Sequence, residues 1–118
     1  QFQFTSGGNL TAAGNVTAYS DIKLKDNIET IDNPIEKVKA LRGVSFNRND
    51  LPDNPKQIGV IAQEVEKVLP EVVSYTEETD TKSVSYGNMV GLLIEAVKEQ
   101  QEQIEELKSI ISTLMESK

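Results

Sequence analysis

The sequence contains no histidine and no cysteine among its 118 residues. Without cysteine, the chain cannot form disulfides, thiolate metal sites or a cysteine nucleophile. Without histidine, it lacks the commonest general base and the commonest side-chain ligand of transition metals. Acid–base work therefore falls to Asp, Glu, Lys or Tyr, and we expect neither a bound metal nor a cofactor.

Long apolar runs and clusters of cations are also missing. No apolar run approaches the roughly 18 to 20 residues that span a bilayer, and no signal peptide is visible. The net charge is -7 and the 12 cationic residues are scattered, whereas binding a polyanion requires clustered Lys and Arg. We therefore expect no membrane partner and no nucleic-acid partner. Because the chain begins with Gln1 rather than Met, we expect it to be the C-terminal piece of a longer protein.

Charged side chains are absent from residues 1–19, and all of them lie from Asp21 onward. Within residues 1–19, a six-residue pattern of turn residues and short apolar pairs covers residues 8–13 and repeats imperfectly in residues 14–19. Such a segment is too short to bury a core of its own. Residues 1–19 are therefore predicted to be the end of a β-structured passenger, such as a fibre or spike.

Residues 20–87 have the pattern of a small mixed α+β domain. A helix is predicted from Asn33-Pro34 to Arg42-Gly43, because proline favours the first helical position and glycine follows helix ends. A second helix is predicted at residues 62–69, where Pro70 ends it. Residues 47–56 are predicted to form a turn or exposed loop. Short strands are predicted at residues 44–46, 57–61, 72–75 and 83–86, the last two joined as a hairpin.

Residues 88–118 have the pattern of one long helix with a heptad seam. Residues 99–106 are so polar that only Ile104 could be buried, so a helix continuing past them needs partner helices. β-branched residues at a and leucine at d favour a dimer. Three further apolar residues widen the face and suit three or more strands, namely Ile94, Ile110 and Met115. The seam consists of Val90, Leu93, Val97, Gln100, Ile104, Leu107, Ile111 and Leu114.

The boundary between the uncharged and charged parts contains a serine and a lysine. A serine hydroxyl needs a base, and a lysine serves as one only when burial or a cationic neighbour lowers its pKa. Residues five apart lie about 140° apart around a helix and on opposite faces of a strand. Ser20 and Lys25 therefore meet only across a turn or between subunits. Asp21 would cap such a turn, and Lys23 is the competing base.

Four motifs in the same order carry a resemblance to a known family. They are SDIKLKDNI at residues 20–28, IGVIAQEV at 58–65, LPEVV at 69–73 and SVSY at 83–86. Together they resemble the C-terminal intramolecular chaperone domain family of phage tail spikes, tail fibres, neck appendages and endosialidases, which is also found in myelin regulatory factor. Lys23 stands where that family more often has arginine.

The resemblance implies a self-cleaving serine endopeptidase that acts once, with Ser20 as nucleophile and Lys25 as general base. The cut would fall between Tyr19 and Ser20, with Asp21 in a supporting position. It also implies a homotrimer that folds its own upstream passenger, in a virion-associated precursor assembled in the host cytoplasm, and we therefore predict a trimeric coiled coil. Whether Ser20 attacks its own junction or a neighbouring subunit's stays open.

The predicted organisation is a passenger end at residues 1–19, a chaperone and autoprotease domain at 20–87 and a coiled-coil helix at 88–118. A different class of function fits the same pattern. In that alternative the chain is a non-cleaving trimerisation and capping module that stays attached to the fibre, and the Ser20 region is a capped turn. A hydrolase acting on a separate substrate has no support, because no second catalytic constellation is visible.

Overall fold

The computed structural model describes the backbone of residues 2–4 and the whole of residues 8–117. The chain divides into two compact units. One takes in the chain up to Thr30 together with Asn47–Pro55, and the other comprises Ile31–Phe46 and the chain from Lys56 onward. Short helices and hairpins are followed by one long C-terminal helix, so the predicted α+β class is confirmed.

The first unit contains a short hairpin and one 3-10 turn. Strand β1 (Phe2–Phe4) pairs antiparallel with β2 (Leu10–Ala12), and the 3-10 turn covers Ile22–Leu24. Residues 13–21 have no regular structure, so the second copy of the six-residue pattern forms no strand. It has no partner strand among the described residues, which is the physical reason it stays irregular. Gln1 and residues 5–7 of the predicted passenger end lie outside the described residues.

The remaining elements form short pairs around the start of a long helix. Strands β3 and β4 form one two-stranded sheet, and β5 pairs antiparallel with β6 in another. Two further 3-10 turns, Pro70–Val72 and Tyr86–Met89, precede β5 and the long helix. The elements are α1 (Pro34–Ala40), β3 (Val44–Asn47), β4 (Lys56–Gly59), α2 (Ala62–Glu66), β5 (Val73–Thr76), β6 (Thr81–Val84) and α3 (Val90–Glu116).

A small apolar core lies where α2, the turn at Pro70 and the start of α3 meet. Its buried residues are Val65, Leu69, Val72 and Leu92. Leu92 and Ala96 are the buried residues of α3, whose N-terminal part packs against α1. Every described residue after Gln100 in this helix is exposed. The core therefore holds only the first turns of α3.

Both short helices end earlier than predicted. Helix α1 stops at Ala40 because Leu41 is extended, with φ -93° and ψ 162°. Helix α2 stops at Glu66, and the chain then turns so that the N–H of Leu69 donates to the carbonyl of Val65 at 2.7 Å. This turn places Leu69 in the core. Helix ends of this kind shift by one or two residues with local geometry, which the 3.6-residue pattern does not contain.

The predicted strand at residues 83–86 is wrong at its end. Strand β6 stops at Val84, and the N–H of Ser85 donates to the carbonyl of Val72 at 2.8 Å. Tyr86 then starts the turn into α3, and its hydroxyl accepts the N–H of Val60 at 3.3 Å. The alternating pattern continues through Tyr86, whereas in the structure Tyr86 lies outside the strand and contacts a residue 26 positions away.

A salt bridge joins the end of α1 to α2. Arg42 Nε donates to Glu64 Oε1 at 3.1 Å, and Arg42 Nη2 donates to Glu64 Oε2 at 2.6 Å. Hydrogen bonds from the guanidinium lower the pKa of Glu64, and the same carboxylate raises the pKa of Arg42. Glu64 thus ties α2 to the segment that follows α1.

We expect Gly59→Ala to destabilise the fold, because an added Cβ would lie 2.5 Å from the Tyr86 hydroxyl. Overpacking of this kind costs about 1–3 kcal/mol. Tyr86→Phe removes the colliding oxygen, so the double variant should lose less stability than the sum of the single variants, measured by urea unfolding. Gly43→Ala is the matched control, since nothing lies within 4 Å of its Cβ position. Equal losses at Gly43 and Gly59 would contradict the expectation.

The Arg42–Glu64 pair should make stability depend on pH. The pKa of Glu64 is lower in the folded chain than its unfolded value of about 4.3, so the pair stabilises the fold above that pH and stops doing so as the pH falls through the folded value. The difference in Tm between the parent and Glu64→Gln should therefore be largest near neutral pH and shrink in acid. Glu71→Gln, an exposed carboxylate without an ion pair among the described residues, should show no such change.

Candidate active site

A capped 3-10 turn shapes the segment that follows Ser20. The N–H of Leu24 donates to the carbonyl of Asp21 at 3.0 Å, and the N–H of Lys25 donates to the carbonyl of Ile22 at 3.1 Å. The Asp21 side chain caps the start of the turn, because its Oδ1 accepts the N–H of Lys23 at 3.0 Å. The turn that the spacing requires is present, and Asp21 lies at its cap.

This turn brings the side chain of Lys25 back to Ser20. Lys25 Nζ donates to Ser20 Oγ at 2.7 Å within a single chain. At that distance a neutral lysine amine can instead accept the hydroxyl proton, which is the role of a general base towards a serine nucleophile. Both residues come from the same chain, so the pair forms without a second subunit.

A pocket of about 380 Å³ opens beside Ser20, and Tyr19 forms part of its wall. Tyr19 is 95% exposed, so the Tyr19–Ser20 junction lies at the surface of its unit. Lys23, the competing base, also lines the pocket, together with Asp21 and Leu24. The structure thus pairs Lys25, and not Lys23, with the serine.

The site is open to solvent in the single chain. Ser20 and Lys25 are exposed, and so are the apolar side chains of Ile22, Leu24 and Ile28 around them. A lysine acts as a base only in its neutral form, which burial or a neighbouring cation favours. The contact between Lys25 and Ser20 is therefore present in one chain, whereas the enclosure that would favour a neutral lysine is not.

In the part of the chain that the structure describes, no group of three or more acidic side chains is arranged to hold a metal ion. None of the helices described is both long enough and apolar enough to cross a bilayer.

Comparison with known proteins assigns this segment to a family. The sequence profile of Peptidase_S74, described as chaperone of endosialidase, matches residues 20–74. These residues belong to that family. The match thus begins at Ser20, the residue whose hydroxyl Lys25 contacts. The resemblance seen in the sequence is confirmed.

The chain is also similar to long tail fibre proteins Gp37 of several phages. It is 36% identical to that of Enterobacteria phage K3 over 93 residues, which cover 74% of this chain and 8% of the relative. It is 35% identical to that of Enterobacteria phage M1 over 98 residues, covering 77% and 39%. For Salmonella phage S16 the identity is 29% over 100 residues, covering 78% and 13%. The chain thus spans well under half the length of these relatives.

The residues expected at the site lie together in the chaperone of endosialidase domain and just before it. Tyr19, Ser20, Asp21 and Lys25 are all in or next to one turn, and the catalytic roles given to them stay predictions. The sequence did not predict that Lys23 lines the pocket without bonding to Ser20. Its one indication was that Lys23 lies three residues after Ser20, which suggested only a competing base.

Proposed function

We propose that this chain is the C-terminal intramolecular chaperone of a phage tail-fibre protein. In this proposal it trimerises, assists the folding of the upstream fibre and then releases itself by cutting between Tyr19 and Ser20. The observation that carries the proposal is the 2.7 Å contact between Lys25 Nζ and Ser20 Oγ at the first residue of the matched domain. The similarity to long tail fibre proteins supports a fibre as the passenger, and a virion-associated precursor made in the host cytoplasm.

The proposed cut is an N-to-O acyl shift followed by hydrolysis. Neutral Lys25 takes the proton from Ser20 Oγ as that oxygen attacks the carbonyl carbon of Tyr19, and the carbonyl oxygen becomes an oxyanion. When the oxyanion collapses, the peptide C–N bond breaks and Lys25 returns the proton to the α-amine of Ser20. Water then hydrolyses the ester, which leaves a carboxylate on Tyr19 and restores the serine hydroxyl.

Helix α3 supports association because it has two different apolar faces. Leu92 and Ala96 are buried against their own unit, whereas Val90, Leu93 and Val97 on the seam are at least half exposed. Isolated helices gain most of their stability from packing, and heptad spacing is that of a coiled coil. The other exposed apolar residues along the helix are Ile94, Ile104, Leu107, Ile110, Ile111, Leu114 and Met115.

One observation favours the alternative, a trimerisation and capping module that does not cut. The dyad is solvent-exposed in the single chain, while the seam on α3 could hold three chains together without any catalysis. The two functions differ in whether the junction at Tyr19 and Ser20 is broken.

The parent chain, expressed with its upstream fibre, should give a fragment that begins at Ser20, whereas Ser20→Ala and Lys25→Ala should stay intact. Loss of the nucleophile or of its base should slow cutting on the order of 10³-fold or more. Intact-mass spectrometry measures the fraction cut over time. Lys39→Ala removes an exposed lysine outside the site and should cut like the parent. Cutting of Ser20→Ala at the parental rate would overturn the proposal, and an uncut parent trimer would support the alternative.

Mixed trimers test whether the serine, the lysine and the junction that is cut come from the same chain. Because the dyad forms within one chain, trimers mixed from Ser20→Ala and Lys25→Ala chains should not cut. Cutting in that mixture would show that serine and lysine act across chains. In trimers of parent and mass-tagged Ser20→Ala chains, cutting of the tagged chain would show attack on a neighbour's junction, and its survival would show attack within the chain.

Leu107→Asn combined with Ile111→Asn should dissociate the trimer at concentrations where the parent stays assembled. Burying each aliphatic side chain is worth roughly 1.5–3 kcal/mol, so their loss weakens association strongly. Sedimentation equilibrium measures the change. The control introduces two asparagines on the outer side of the predicted heptads, Glu102→Asn with Ser109→Asn. A monomeric parent, or equal dissociation of the control, would contradict the role of the seam.

A further inference from the structure

The pocket beside Ser20 contains a second cation that the dyad does not use. Lys25 is bonded to Ser20 Oγ at 2.7 Å. Lys23 lines the same pocket as Tyr19 and Ser20, and its ammonium makes no hydrogen bond or ion pair with any residue among 8–117. Lys23 is the middle residue of the 3-10 turn, and Ser20 lies just before its cap, Asp21. Lys23 therefore lines the same pocket as the two residues of the junction that would be cut.

Attack on the Tyr19 carbonyl needs hydrogen-bond donors that stabilise the oxyanion, and few backbone N–H groups of the turn are free for this. Those of Lys23, Leu24 and Lys25 are bonded inside the turn. The N–H of Ser20 belongs to the peptide bond that breaks. The Asp21 carboxylate, which takes part in the cap, adds a negative charge beside the site that opposes an oxyanion. A nearby cation would offset that charge and stabilise the developing one.

We propose that the ammonium of Lys23 stabilises the oxyanion that forms on the Tyr19 carbonyl oxygen during self-cleavage. The inference rests on the function proposed above and adds a third catalytic residue to it. Lys23 neither takes nor gives a proton in this step. Lys25 moves the proton between Ser20 Oγ and the leaving amine, while the charge of Lys23 balances the charge that appears on the carbonyl oxygen.

The absence of cysteine allows a test in which one folded protein is compared with and without the charge. Lys23→Cys introduces the sole thiol of the chain. Alkylation with 2-bromoethylamine then restores an ammonium on a side chain of nearly lysine length, whereas iodoacetamide adds a neutral amide at the same atom. Both reagents act on the same preparation of the chain with its upstream fibre, so differences in expression and initial folding cancel.

Removing one oxyanion donor costs on the order of 10²-fold in an enclosed site, so Lys23→Cys at this open one should cut at least about tenfold more slowly. Aminoethylation should recover most of the parental rate, and carbamidomethylation should not. Parental cutting by Lys23→Cys, or equal rates after the two alkylations, would overturn the inference. If sedimentation shows that Lys23→Cys does not assemble, Lys23→Arg and Lys23→Gln decide instead, and equal cutting by these two overturns it.

Failure of this inference differs from failure of the proposed function. Suppose that the parent cuts, that Ser20→Ala does not, and that Lys23→Cys cuts like the parent. The proposed roles of Ser20 and Lys25 are then supported, and the proposed role of Lys23 is wrong. If the parent itself stays intact, the proposed function fails first. Hydroxylamine adds a second readout, because it converts the ester formed by the acyl shift into a hydroxamate at Tyr19. Less hydroxamate per unit time in Lys23→Cys would place the defect in the attack and not in the later hydrolysis.

Discussion

The hydrogen bond between Lys25 Nζ and Ser20 Oγ is the interaction on which the functional reading of this chain depends. It exists because a single 3-10 turn, capped by Asp21, lies between the two residues. On a regular helix or strand, side chains five positions apart point in different directions. Ser20, Lys25 and the Tyr19–Ser20 bond thus lie within one short segment, and no distant part of the fold is needed to bring the two side chains together.

The long helix α3 meets a different requirement. Its inner face supplies Leu92 to a core of only a few buried residues, and that core alone cannot stabilise the part of the helix beyond Gln100. A helix of 27 residues is about 40 Å long, and the apolar residues of its seam are exposed in the single chain. Association with further copies would let one helix serve two cores, one within the chain and one between chains.

Local patterns in the sequence predicted much of this fold. Pro34 predicted the start of α1, two strand patterns predicted the hairpin of β5 and β6, and the heptad pattern predicted α3. The spacing of Ser20 and Lys25 required either a turn between them or a contact between subunits, and the structure has the turn. The catalytic roles of these residues stay predictions.

What could not be read locally depends on contacts between residues far apart in the chain. Tyr86 lies beyond the end of β6, and its hydroxyl accepts the backbone N–H of Val60. Arg42, after α1, pairs with Glu64 of α2, and the sequence pattern of neither segment predicts this pair. The position of Lys23 on the pocket depends on a turn geometry that composition does not encode.

A pair of residues joined across so small a turn also has a characteristic speed. Short loops close in roughly tens of nanoseconds, whereas subunit assembly takes milliseconds to minutes. The dyad would therefore be in place long before three chains and a long fibre have come together. If the chain folds a passenger before cutting itself off, as proposed, the formation of this pair cannot set the delay before the cut. In that proposal a slower event, the enclosure of the exposed Lys25 by neighbouring chains, would set it.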